Sequence, residues 1–148
     1  MSRAKIRAFE KQDTGAVVEL WTQAGLTRPW NDPLADVRRK QAVQPEMFFV
    51  AEHGGHVVGT VMAGYDGHRG WIHYLAVSAH HRGTGLGRAL VEEAEAALRT
   101  LCCPKVQLQI RPGNSGVIGV YEHLGYTPYE AFNMGKRLVV DGSLGTSH

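Results

Sequence analysis

Three glycines at alternate positions lie in His81-Arg82-Gly83-Thr84-Gly85-Leu86-Gly87-Arg88, between an aromatic and β-branched run, Trp71 to Val77, and a long amphipathic stretch. The run before them favours a strand. After them, Leu86, Leu90, Ala94, Ala97 and Leu101 recur at helical spacing, while Arg88, Glu92, Glu93, Glu95 and Arg99 cover much of the remaining surface. The glycines therefore mark a strand-to-helix junction, where the first helical amides lack internal partners and carry the positive end of the helix dipole. Without Cβ atoms, such a junction lets an anion such as a pyrophosphate approach the amides closely. A ligand-free glycine turn is the plain alternative.

Two common phosphate spellings fail here. A Walker A loop ends in Gly-Lys-Ser/Thr, which is absent, and the dinucleotide fingerprint needs a glycine where, counting six from Gly83, this chain has Arg88. The spacing that fits is Arg82-x-x-Gly85-x-Gly87. A second constellation follows, with Asn114, Val117, Tyr121, Gly125 and Tyr126 fitting Asn-x-x-Ala-x-x-x-Tyr-x-x-x-Gly-Phe/Tyr, Val standing for Ala. Asn114 and Tyr121 are close to two helical turns apart, so they fall on nearly one face. A tyrosine packed in the core with its hydroxyl at the rim is the bland reading of Tyr121.

Together the two motifs resemble those of the GNAT superfamily of N-acetyltransferases. Over about residues 4 to 140 the chain is similar to the small bacterial YpeA-type acetyltransferases, including Arg28-Pro29-Trp30-Asn31-Asp32-Pro33. The resemblance implies an α/β fold, with a central mixed twisted sheet of about seven strands flanked by four helices and splayed between the Trp71 and Val106 strands into an acyl-CoA cleft. It implies acetyl-CoA as co-substrate. Backbone groups of Leu75, Ala76 and Val77 would pair with the pantetheine arm, and Arg82, Gly83, Thr84, Gly85, Leu86, Gly87 and Arg88 would receive the pyrophosphate. Asn114 would hold the pantetheine or acyl end, and Tyr121 would stand near the sulfur. In acyl transfer to an amine, an amide near Leu75 or Ala76 would stabilise the oxyanion and the Tyr121 hydroxyl would protonate the leaving thiolate.

The base is where the pattern departs. The ribosomal-protein alanine branch carries a glutamate at the place of Gln109, and the histone-type branch carries one where this chain has Trp71. Period-two geometry puts His73 on the face of Trp71, which makes it a candidate catalytic base beside Tyr121; filling the sheet face is its structural alternative. Glu52 and Asp66 are further candidates, each with ordinary hairpin solvation as the alternative. An α-amine with a pKa near 7.7 to 8.0 is about a tenth neutral at pH 7, whereas a lysine near 10.4 is only about 0.04% neutral. A site without a dedicated carboxylate therefore suits an α-amine or another low-pKa amine. An acyl-CoA sensor without turnover, and a nucleotide-binding regulator, are the rival functions.

The elements that must position these residues follow from periodicity and punctuation. Ala4 to Phe9 predicts a strand; Asp13 predicts a cap for a helix carrying Val17, Leu20 and Trp21; Asp32-Pro33 predicts a second helix to about Val43. Two strands around His53-Gly54-Gly55-His56 form a hairpin. Val106, Leu108 and Ile110 alternate as a strand, Asn114 caps a helix to Leu124, and Tyr126 to Tyr129 and Phe132 to Val139 supply final strands. Residues 1–140 form one domain and 141–148 a frayed tail.

Composition narrows the classes. Sixteen Lys and Arg against fourteen Asp and Glu leave a net charge of +2, with no basic stripe for a nucleic acid. No apolar run approaches a membrane span, and Met1 to Lys5 precedes no signal core, so the expectation is a cytoplasmic protein without membrane partners. Cys102 and Cys103 are adjacent and are expected as free thiols; the eight histidines show no metal-ligand spacing. The expected partner is an amine acceptor, small molecule or peptide, and Tyr129 and Phe132 would support a homodimer.

Overall fold

The computed structural model describes residues 4–141. Its sheet runs β1 (Lys5–Ala8), β2 (Phe48–His53), β3 (His56–Tyr65), β4 (Gly70–Val77) and β5 (Val106–Gln107) in sequential order, antiparallel except for the parallel β4–β5 pair. Helices α1 (Thr14–Gln23) and α2 (Pro33–Ala42) cover one face; α3 (Leu86–Thr100) and α4 (Ile118–His123) cover the other. The mixed sheet and four helices match the architecture expected from the sequence.

Local chemistry explains the main elements. Gly54 and Gly55 both take positive φ, 59° and 80°, as a two-residue hairpin turn needs. Asp66 Oδ1 accepts from the amides of His68 (2.8 Å) and Arg69 (2.7 Å) and so closes the β3–β4 turn. Asp32 caps α2 by accepting from Leu34 N at 2.9 Å, with Pro33 preset at the first helical position. Leu90, Val91, Ala94 and Leu98 bury the apolar stripe of α3 against the sheet. That packing is close enough that a Cβ at Gly59 on β3 would lie 2.8 Å from Leu90 Cδ1. On the opposite face, Trp21 is fully buried and its Nε1 donates to Thr60 Oγ1 at 2.9 Å.

Several expectations are corrected. The described residues form five strands rather than about seven: β5 is two residues long, and neither Tyr126–Tyr129 nor Phe132–Val139 forms a strand. Side-chain bonds hold that segment beside β5 instead, Gln107 Nε2 to Tyr129 Oη at 2.6 Å and Gln109 Nε2 to Asn133 Oδ1 at 2.8 Å. Phe132 is left 99% exposed, with Met134 and Leu138 also exposed. Asp13 does not cap α1; its carboxylate forks onto Arg7 (2.8 and 2.9 Å) and accepts from Glu10 N. Asn114 makes no side-chain cap, and the expected helix splits into a 3-10 turn, Ser115–Val117, followed by α4. Asp141, expected at the start of a frayed tail, is 3% exposed and tied to α2; the rest of that tail, 142–148, lies outside the described residues.

Candidate active site

The sheet opens where the sequence places its cleft. Among the described residues β4 and β5 pair only at Gly70–Val106 and Trp71–Gln107, and β4 then runs on to Val77 with no strand on that side. Ser78 N donates to Val58 O at 2.9 Å and Ala76 stands opposite Thr60, so antiparallel alternation turns the amide and carbonyl of Ala76 toward β3. Those of Leu75 and Val77 turn to the cleft, and Val77 O accepts from Arg82 Nε at 3.3 Å. Of the three backbone positions named for a pantetheine arm, Ala76 therefore offers its groups to the sheet and not to the opening.

A bulge shapes this edge. The β3–β4 register slips between Thr60 and Met62, where Tyr74 adopts φ 53°. A left-handed conformation at a residue other than glycine costs about 1–3 kcal/mol and persists only where surroundings impose it. Here the Tyr74 ring stacks on Trp21 with centroids 3.8 Å apart, and its carbonyl accepts from Thr60 Oγ1 at 2.9 Å. Its hydroxyl donates to Asp36 Oδ2 at 2.6 Å, an oxygen that also accepts from Asn31 Nδ2 at 2.6 Å. Because the extra residue breaks the alternation, His73 and Tyr74 both face α1 and α2, while Ile72 and Leu75 pack on the α3 side.

The glycine loop follows directly. Gly83 (φ 76°) and Gly85 (φ 86°) use left-handed conformations, and Gly85 is the residue before α3. Among the described residues no side chain caps that helix, so its first amides are open, flanked by exposed Arg82 and Arg88. Thr84 Oγ1 donates to His81 O, and Leu86 is buried, so these two residues hold the loop to the body rather than present groups of their own. A Cβ built on Gly87 would stand 3.7 Å from Val120 and 3.8 Å from Val77, which places the start of α3, the face of α4 and the end of β4 around one point.

Tyr121 follows Val120 on α4. It is 6% exposed, and its ring meets Tyr126 edge-on at 5.4 Å. Among the described residues its hydroxyl makes no hydrogen bond, yet it is not sealed from solvent. Burial raises its pKa, so the phenol keeps its proton at neutral pH. A cavity of about 620 Å³ lies between β5, α4 and the segment after Tyr126, with Leu108, Ile110 and Tyr121 on its wall. Asn114, half-buried at the foot of α4, also leaves its side-chain amide without a partner among the described residues.

The base candidates separate clearly. His73 is open to solvent and parallel to Trp71, with ring centroids 6.4 Å apart. Desolvation by the surrounding protein lowers its pKa from the usual 6.5, with the Lys40 charge adding to the drop and Asp36 opposing it. Glu52 binds Arg7 Nε at 2.9 Å on the β1–β2 side of the sheet, away from the opening. Asp66 is spent on its turn, and the two backbone amides hold its carboxyl below the ordinary range. Gln109 binds Asn133. Sequence reasoning missed the meeting of Asn31, Asp36 and Tyr74, in which Tyr74 reaches the other two across 38 to 43 residues of chain; a residue ahead of a helix, an acid in its first turn and a strand aromatic give no local signal of it.

Among the described residues, no cluster of three or more His, Cys, Asp or Glu is placed to hold a metal, and no helix is long and apolar enough to cross a membrane.

The acetyltransferase (GNAT) family model matches residues 15–126. A protein from Pectobacterium atrosepticum named acetyltransferase is 46% identical over 137 residues, which is 93% of this chain and 97% of that one. The solved structure of Ard1 from Thermoplasma volcanium has a TM-score of 0.75 at 26% identity, covering 87% of this chain and 86% of that one. A chain of the NatC complex bound to Gag peptide and CoA shares the fold, with a TM-score of 0.76 at 22% identity and 87% of each chain covered.

Proposed function

The chain belongs to the acetyltransferase (GNAT) family, and from that premise we propose that it moves the acetyl group of acetyl-CoA to a primary amine of a small molecule or peptide. The observation that carries this reading is the open β4 edge, which ends at the uncapped, glycine-led start of α3, with α4 brought to that junction at Val120. A pantetheine arm fits as a partial strand against Leu75 and Val77, and a pyrophosphate fits the open amides of α3 between Arg82 and Arg88. CoA in the NatC complex supports the same donor class.

The residues then divide the chemistry. The neutral amine attacks the thioester carbonyl, forming an N–C bond; the carbonyl electrons move onto oxygen, where the Leu75 amide stabilises them. His73 takes the proton released by the amine. As the C–S bond breaks, the electrons return and the sulfur leaves with a proton from Tyr121, giving the amide and free CoA; the His73 proton returns to Tyr121 through solvent. The lowered pKa of His73 keeps it in the accepting form at neutral pH. With an imidazole in place of a carboxylate, α-amines and other low-pKa amines are the favoured acceptors.

The test has two arms. Acetyl-CoA, and neither ATP nor NAD, should raise the melting temperature. Release of free thiol should then appear with some member of a panel of α-amines, peptides and polyamines. Stabilisation without thiol release from any of them would leave a binding module, and stabilisation by ATP or NAD instead would reject the donor.

A further inference from the structure

A continuous set of polar contacts joins the far end of the described chain to the bulge in β4. Asp141 is almost completely buried and lies beyond the segment matched by the family model. One of its carboxylate oxygens accepts from Arg39 Nη2, and the other accepts from the backbone amide of Asp32 at 2.8 Å. Arg39 also donates to Asp36 Oδ1 at 3.1 Å, and the second oxygen of Asp36 receives the Tyr74 hydroxyl at 2.6 Å. Each contact is charge-assisted, the class of hydrogen bond with the firmest geometry.

We infer that Asp141, Arg39 and Asp36 are positioning residues for acetyl transfer, holding Tyr74 in its left-handed conformation so that the next amide, that of Leu75, points into the cleft. The inference rests on the reading of the β4 edge as the thioester site. A clamp serving only to hold α2 would need Asp141 and the Asp32 amide alone. In this chain the clamp continues through the guanidinium to a carboxylate whose other oxygen ends on β4. None of the three side chains reaches the opening itself, so their action passes through the backbone of Tyr74. Two ends fix that backbone: Thr60 holds the carbonyl from one side, and Asp36 and Asn31 hold the hydroxyl from the other. Loss of the Asp36 end frees the ring to turn on Trp21 and lets the bulge relax toward a regular strand, which rotates the Leu75 amide.

Amide spectra of the ¹⁵N-labelled full chain, titrated with acetyl-CoA, test this. In the wild type, the amides of Leu86 to Arg88 and that of Leu75 shift on binding. In Asp141→Asn, and separately in Asp36→Asn, the loop amides should shift as before, while the Leu75 response falls by at least half. Hydrolysis of acetyl-CoA, read as free thiol, should slow by about tenfold in both. Asp141→Glu, which keeps the anion, should recover most of the Leu75 response. A wild-type Leu75 response in both Asn variants overturns the inference even if their melting temperatures drop, since the contacts would then serve stability alone. Wild-type loop amides that ignore acetyl-CoA would reject the donor site first, and this inference with it.

Discussion

In the proposed reaction Tyr121 and His73 have opposite tasks, and their surroundings push them in directions that suit those tasks. Burial raises the phenol pKa and so preserves a proton for the leaving sulfur; desolvation and Lys40 lower the imidazole pKa and so preserve a lone pair for the amine. Tyr121→Phe should cut turnover by about 10²-fold while acetyl-CoA binding, measured by calorimetry, changes less than about threefold. Equal losses in both would make Tyr121 a packing residue. For His73, the acid limb of kcat/KM should lie below pH 6.5, and His73→Gln should remove it; a limb that survives the substitution belongs to another group. Tyr121 was singled out in the sequence by the motif it shares with Asn114, Gly125 and Tyr126. Tyr74 was not, because its conformation is set by Trp21, Thr60 and Asp36, brought together only by the tertiary fold.

At the scale of elements, the junction between β4 and α3 is where local sequence rules serve best. Alternating glycines, a β-branched run before them and a 3.6-residue apolar stripe after them specify a turn without long-range help, and the helix bounds agree with that pattern almost to the residue. Gly85 tests the junction. Its φ of 86° strains any residue with a Cβ, although none of the surrounding atoms would collide with one. Gly85→Ala should therefore cost stability by about 1 kcal/mol and, by turning the first α3 amides, weaken acetyl-CoA binding by about tenfold. A variant that loses stability but binds as the wild type would show that these amides do not receive the donor. Strand prediction failed at the other end of the chain for a physical reason. Phe132, Met134 and Leu138 alternate as a strand should, but alternation specifies a face and not a partner. In the fold, Gln107 and Gln109 meet Tyr129 and Asn133 through side chains, and the backbone ladder does not form.

Across the whole molecule, two carboxylate–arginine pairs fasten the ends of the described chain to its body. Arg7 on β1 holds Asp13 before α1, and Arg39 on α2 holds Asp141. In both pairs the arginine hydrogen bond lowers the carboxyl pKa, that of Asp141 to about 2. Since these groups bind protons more weakly folded than unfolded, their stabilisation is complete above the unfolded value near 3.8 and is lost as pH falls through the folded value. His73 adds a term of the same sign at higher pH, because the unfolded imidazole takes up its proton near 6.5 and the folded one only below that. Thermal stability should thus be flat above about pH 6.5, decline modestly just beneath it, hold again, and fall steeply between about pH 4 and pH 2. The two declines are separable: His73→Gln should flatten the upper one and leave the lower, while Asp141→Asn should reduce stability at neutral pH and shrink the lower one. Melting temperatures from pH 2 to 8 for the three proteins decide the matter. A wild-type curve level between pH 4 and 2 would mean that the arginine pairs form in the unfolded chain as well, and so contribute nothing to holding the two ends in place.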